Sequence, residues 1–290
     1  VVGRFSVATS VIKVGGILIF AGAALVASKN IVQPLIPEPS QSTGAIGFLA
    51  ATALGVLAYK GFTTITNSGS EVVEPSKNIG RAIVISLVAC VVVYLLVALS
   101  VGANLSLDEL IAAKDFALAQ AARPALGDAG LWFTLVVAVV ATSAALIAST
   151  FAVSRMLAML TDMKLVPHSH FGMSGSIQRH TLTYAVVIAI FLAVFFDLSR
   201  IASLGVVLYL LMDSAIHFGL LRAKPKDVQC NKFVVLSALV LDLTVLCAFV
   251  VMKIKNDPLI IGIAFGTTLI IFMIEYFFLE RHTSHSGHAH

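Results

Sequence analysis

Residues 57–83 read LAYKGFTTITNSGSEVVEPSKNIGRAI, and the way this stretch interrupts an apolar run decides the fold. Upstream, Ile46 to Tyr59 reads as membrane helix. Lys60 and Gly61 then break it, and the β-branched Thr63, Thr64 and Thr66 with Asn67 weaken any helix that continues. Non-helical backbone at membrane depth survives only where it is buried in protein or lines a wet cavity. The residues leave two readings open. Either the span ends at Tyr59 and a polar loop begins, or the helix is discontinuous and forms a site. Discontinuous helices serve secondary transporters because freed carbonyls receive an ammonium or a cation. Beyond Asn67, SGSEVVEPSKNIGRA reads as a turn into the next span, with Pro75 blocking continued helix.

Composition supports a membrane reading throughout. Of 290 residues, 59% are hydrophobic and 12% charged, with a mean hydropathy of +0.99, an apolar surplus that one water-soluble domain cannot bury. The fold class is therefore all-α and polytopic. Cys90, Cys230 and Cys247 lie far apart, without the spacing of a disulfide framework or a zinc site. The net charge of +4 falls in short segments between apolar runs, which points to loop topology rather than to a nucleic-acid partner. Nothing in the pattern calls for a cofactor or a resident metal. The tail at 282–290, with His282, His285, His288 and His290, reads as a solvated cytoplasmic segment, with metal binding as the alternative. Val1 is not a methionine and Lys13 interrupts the first apolar run, so a cleavable signal peptide is not expected. The chain reads as a segment of something longer.

A helix needs about 20 apolar residues to cross a bilayer core. That window predicts spans at 7–28, 44–66, 81–103, 130–160, 181–197, 200–221, 233–252 and 258–279. Between the third and fourth, NLSLDELIAAKDFALAQAARPALGDAG reads as a membrane-surface helix, and Asn104-Leu105-Ser106 is a glycosylation triplet. With the amino end in the cytoplasm, Lys77, Arg81, Arg155, Lys164, Arg179, Arg222 and the basic residues at 224–232 all fall inside. The outer segments hold fewer, among them Lys114, Arg123, Arg200 and Lys253, which places both ends of the segment in the cytoplasm.

Polar groups at membrane depth need a reason, since a central Lys or Asp costs about 2.5–3.5 kcal/mol on insertion. Lys13 lies about six residues into its span, roughly 9 Å deep at 1.5 Å per residue. It either snorkels to the surface or points into a bundle along the small face of Gly15, Gly16 and Gly22. Asp213 and His217 stand four apart on one helix face, either as a mutually satisfied pair or as a proton relay. Asp242 has no sequence-near partner, so a bond to a neighbouring helix is expected. The fourth span carries Thr142, Ser143, Ser149, Thr150 and Ser154 in two stripes, which either bond their own backbone or form a polar interior surface.

Three blocks carry a resemblance. The opening stretch, ASTFAVSRMLAMLTDMKLVP at 148–167 and RIASLGVVLYLLMDSAIHFGLLR at 200–222 resemble the sixth, eighth and tenth helices of the amino acid-polyamine-organocation superfamily, in the family's order. The resemblance implies a LeuT-like inverted-repeat transporter fold, truncated at the amino end, with these spans as the fifth to twelfth helices of twelve. It implies that the backbone around Leu57, Ala58, Tyr59 and Gly61 receives a substrate ammonium and that Phe62 and Thr63 shape the side-chain pocket. It further implies that Lys13 fills the place of sodium in related sodium-coupled transporters, with Ser149, and Thr142 on the same span, beside it as a coupling group. Leu57 stands where many members have an aromatic gate, Gly80 where a proline is usual, and Lys164 where a glycine is usual. The family assigns Lys60 no role.

The expected function is secondary transport of amino acids or related amines, small molecules carried by alternating access through a plasma or inner membrane, coupled to protons or running as exchange. The expected partners are the substrate, protons and the lipid bilayer. The alternatives are a same-fold transporter of an inorganic cation or other solute, and a non-transporting sensor or subunit. No span shows a nucleophile and base in an enzyme motif.

Overall fold

The computed structural model describes residues 2–28, 44–61, 65–66, 72–165, 176–223 and 230–286. Among these residues the chain is helical, without a strand. The helices are α1 (Val2–Ala27), α2 (Gly44–Ala58), α3 (Pro75–Gly102), α4 (Leu107–Ala113), α5 (Ala117–Asp162), α6 (Ile177–Phe195), α7 (Leu198–Arg222), α8 (Lys232–Asn256) and α9 (Pro258–Ser286). Seven helical segments are long and apolar enough to cross a membrane, and α2 is a shorter apolar helix. Large apolar side chains such as Val194, Leu269 and Phe272 stand exposed along them, as they do where lipid rather than water is the solvent.

The helix ends refine the sequence windows. α2 stops at Ala58, short of the window that ran to 66. α3 starts at Pro75, because proline lacks an N–H that the first turn would leave unpaired and its φ already suits a helix. The same residue thus blocks the upstream chain and starts the next helix. The expected surface helix is not one helix. Ser106 caps α4 through a reciprocal box with Glu109, a 3-10 turn covers Lys114–Phe116, and the remainder enters α5. α5 kinks at Gly127, where φ is 57°, three residues after Pro124. The tail residues His288 and His290 lie outside the described residues, and α9 extends through Ser286.

The chain divides into two compact units, Val1–Ser42 with Gly61–Ala152 and Thr43–Lys60 with Val153–His290. In the first, α1 and α3 meet along Phe20, Ala21, Ala24 and Val101, with Ala121 and Ala122 of α5 completing the cluster. Alanines bring the backbones close enough for side chains to bridge them. Ser100 Oγ donates to the Ala21 carbonyl at 3.0 Å, and Asn104 Nδ2 donates to the Ala24 and Ser100 carbonyls at 2.9 and 2.8 Å. The amide nitrogen that a glycan would take at Asn104 is thus committed to packing. A Cβ on Gly16 would stand 2.7 Å from Val137 of α5, whereas Gly15 and Gly22 have open space. Of the expected small face, Gly16 alone is pressed by a neighbour.

In the second unit, Ala50 and Ala53 of α2, Leu204, Val207 and Leu210 of α7, Val245, Leu246 and Phe249 of α8 and Ile260, Ile261 and Ala264 of α9 form one apolar core. Two polar ties hold α7 to the chain of α8 in a single antiparallel register. Arg200 Nε donates to Asp257 Oδ2, just past the end of α8, at 2.7 Å. Further along, His217 Nδ1 lies 2.8 Å from Asp242 Oδ2.

Candidate functional site

α2 closes with a tightened turn. The Tyr59 N–H donates to the Val56 carbonyl and the Lys60 N–H to the Leu57 carbonyl, both at 3.1 Å, the i to i−3 pattern of a helix end. Gly61 then takes φ of 133°, a conformation that side chains disfavour. The break therefore falls at Lys60-Gly61. The Leu57 carbonyl already accepts one hydrogen bond, and its second lone pair leaves room for another donor. Phe62 and Thr63 lie outside the described residues.

The side chains at the break have distinct placements. Leu57 packs on the rim of the second unit's core and over Gly205 of α7, where an added Cβ would sit 3.6 Å from a Leu57 methyl. It acts there as an apolar wedge between α2 and α7. Tyr59 is half-buried, and Ala58 and Gly61 are exposed. Lys60 extends over Tyr209 of α7, its ammonium 5.3 Å from the ring centroid, within the range of a cation–π contact.

In the first unit, Lys13 is half-buried on α1, while Thr142 and Ser149 are exposed on α5. Both hydroxyls donate to their own helix, Thr142 to Ala138 at 2.7 Å and Ser149 to Ala145 at 2.8 Å. Such back-bonding uses the hydroxyl proton and leaves oxygen lone pairs outward, so either oxygen can accept from an ammonium. Among the described residues no hydrogen bond joins Lys13 to Ser149 or Thr142. Thr150 bonds back to Leu146 in the same way.

Pairing among the buried polar residues differs from sequence order. Asp213 and His217 do share a face of α7, but the hydrogen bond of His217 goes to Asp242 across the helix pair. Asp213 instead interacts with the Tyr209 hydroxyl and, through space, with Asp242, His217 and Lys60. Tyr209 escaped the sequence reading because a tyrosine in an apolar run carries no charge penalty. Its spacing of four from Asp213, repeated at His217, was the available signal.

The helices make this an integral, multi-pass membrane protein. The amino acid permease family profile matches residues 1–286, and the chain belongs to that family. It is similar to an uncharacterized protein of Methanocaldococcus jannaschii, 37% identical over 136 residues, covering 47% of this chain and 30% of that protein. It is also similar to the inner membrane transport protein YbaT of Escherichia coli, 25% identical over 252 residues, covering 86% of this chain and 57% of that protein. The chain thus spans less than two thirds of the length of these relatives.

Proposed function

We propose that the full-length protein is a secondary transporter of amino acids or related amines, working by alternating access in an inverted-repeat fold with both ends of this segment in the cytoplasm. The observation that carries this reading is the end of α2 at Ala58, followed by Gly61 at φ 133°, inside a chain of the amino acid permease family. The substrate ammonium docks on carbonyls of Leu57 to Gly61, and Phe62 and Thr63 shape the space for the side chain. Lys13 is the coupling group, with Ser149 and Thr142 supplying oxygen acceptors, so that proton movement or exchange drives the cycle.

The test is uptake of labelled amino acids by the full-length protein in liposomes, with and without a pH gradient. Accumulation driven by the gradient and lost in Lys13→Ala supports the coupling role. Gradient-driven uptake undiminished in that variant refutes it, and no uptake of any amino acid or amine refutes the substrate class.

A further inference from the structure

Within the second unit, polar side chains with no part in the transport reading converge. Tyr209, Asp213 and His217 are four apart on α7 and share one face. Lys60, directly past the end of α2, covers the Tyr209 ring at 5.3 Å, and Asp242 of α8 meets His217 at 2.8 Å. The groups acting on Asp213 are Asp242, His217, Tyr209 and Lys60, drawn from α8, α7 and the end of α2. Arg222, one turn beyond His217, is turned onto the Phe218 ring at 4.3 Å. Arg200 is held by Asp257 at the opposite end of α7.

The charges in this group do not balance. Two carboxylates face one ammonium, so a neutral His217 leaves one uncompensated negative charge. The surroundings are apolar: Tyr209 is 5% exposed, and the neighbouring Val206, Val207 and Leu210 are buried. A lone charge is costly at membrane depth, and one added monovalent cation removes it. Histidine is the side chain that changes charge near neutral pH, and His217 Nδ1 lies 2.8 Å from a carboxylate oxygen of Asp242. Ser214 Oγ, one turn before His217, is buried with no hydrogen-bond partner among the described residues, which leaves a hydroxyl free to pass or share a proton.

We propose that Asp213, His217 and Asp242, with Lys60 as counter-charge, form a proton-binding site separate from Lys13. One proton from water adds to the imidazole, forming an N–H bond. The resulting imidazolium pairs with Asp242 and leaves Asp213 to Lys60, and the cluster is neutral. On release the proton returns to water and the surplus carboxylate charge pulls on Lys60. Because Lys60 adjoins Gly61, the proton occupancy of the cluster acts on the break in α2. Because the groups interact, the proton belongs to the cluster and titrates it as a unit. The link to flux rests on the transport reading, whereas the proton site does not.

The test separates the two. Full-length protein in detergent is acidified from about pH 8 to about pH 5, the range that a histidine covers, and proton uptake is followed with a pH dye. The parent takes up about one proton per chain more than His217→Gln. Asp213→Asn keeps the His217–Asp242 pair but is neutral without the proton, so it takes its proton up at lower pH than the parent does. Asp213→Asn is close in shape to the parent and carries the test if His217→Gln fails to fold. Equal proton uptake by the parent and both folded variants overturns the proposal. So does sodium that abolishes the difference at fixed pH, since the site would then take an alkali cation. In liposomes, Asp213→Asn flattens the pH profile of amino acid flux at its low-pH level. A proton difference without any flux retains the site and refutes the transport reading.

Discussion

Lys164 ends α5 in a left-handed conformation, φ 58°, at a position where the resemblance expects glycine. The Leu165 N–H donates to Leu160 and the Lys164 N–H to Thr161, each at 2.9 Å, which is the Schellman arrangement with Lys164 as its left-handed residue. A side chain there costs about 1–2 kcal/mol, while glycine loses about 0.5–1 kcal/mol more backbone entropy than alanine on folding. Lysine also contributes a favourable charge at the helix end, so Lys164→Gly alone mixes two effects. Comparing Lys164→Gly with Lys164→Ala cancels the charge and leaves the backbone. The glycine variant is therefore more stable than the alanine variant by about 0–1.5 kcal/mol. Reversible denaturant unfolding of the purified protein in detergent measures the difference. An alanine variant clearly more stable than the glycine variant refutes the left-handed end of α5.

Gly16→Ala destabilises by about 1–3 kcal/mol through overpacking on Val137, whereas Gly22→Ala, with open space at its Cβ, gains up to about 1 kcal/mol from helix propensity; thermal unfolding in detergent separates them. Asn104→Ala loses one bond that ties the end of α3 to α1 and one back to α3 itself, and costs about 1–3 kcal/mol at roughly 0.6–1.7 kcal/mol per bond, read from the same unfolding curves. For the Arg200–Asp257 pair at 2.7 Å, a double-mutant cycle gives only a small coupling because the guanidinium is part-exposed, and that coupling shrinks in high salt.

The end of α2 was legible in residues 57–83. Lys60 and Gly61 lie just past the end of α2 at Ala58, where charge and glycine both disfavour helix in an apolar run. Pro75 marked the following boundary, although its role at the first turn of α3 brings that helix forward of its apolar window. The hydroxyl stripes of α5 were visible as a pattern. Their hydrogen bonds to Ala138 and Ala145 were one of two outcomes that residue type alone left open.

Composition and local pattern alone determined the membrane class, the presence of several apolar helices, the end of α2 close to Tyr59 and the short list of costly polar residues, because each follows from helix length and local chemistry. Only the tertiary structure decided their partners. His217 bonds Asp242 rather than Asp213, Lys60 lies on Tyr209, and Gly16 rather than Gly15 or Gly22 bears the close contact. Those choices depend on the rotation and register of packed helices. Spacing along one helix states which residues share a face, and only packing states which neighbouring helix that face meets.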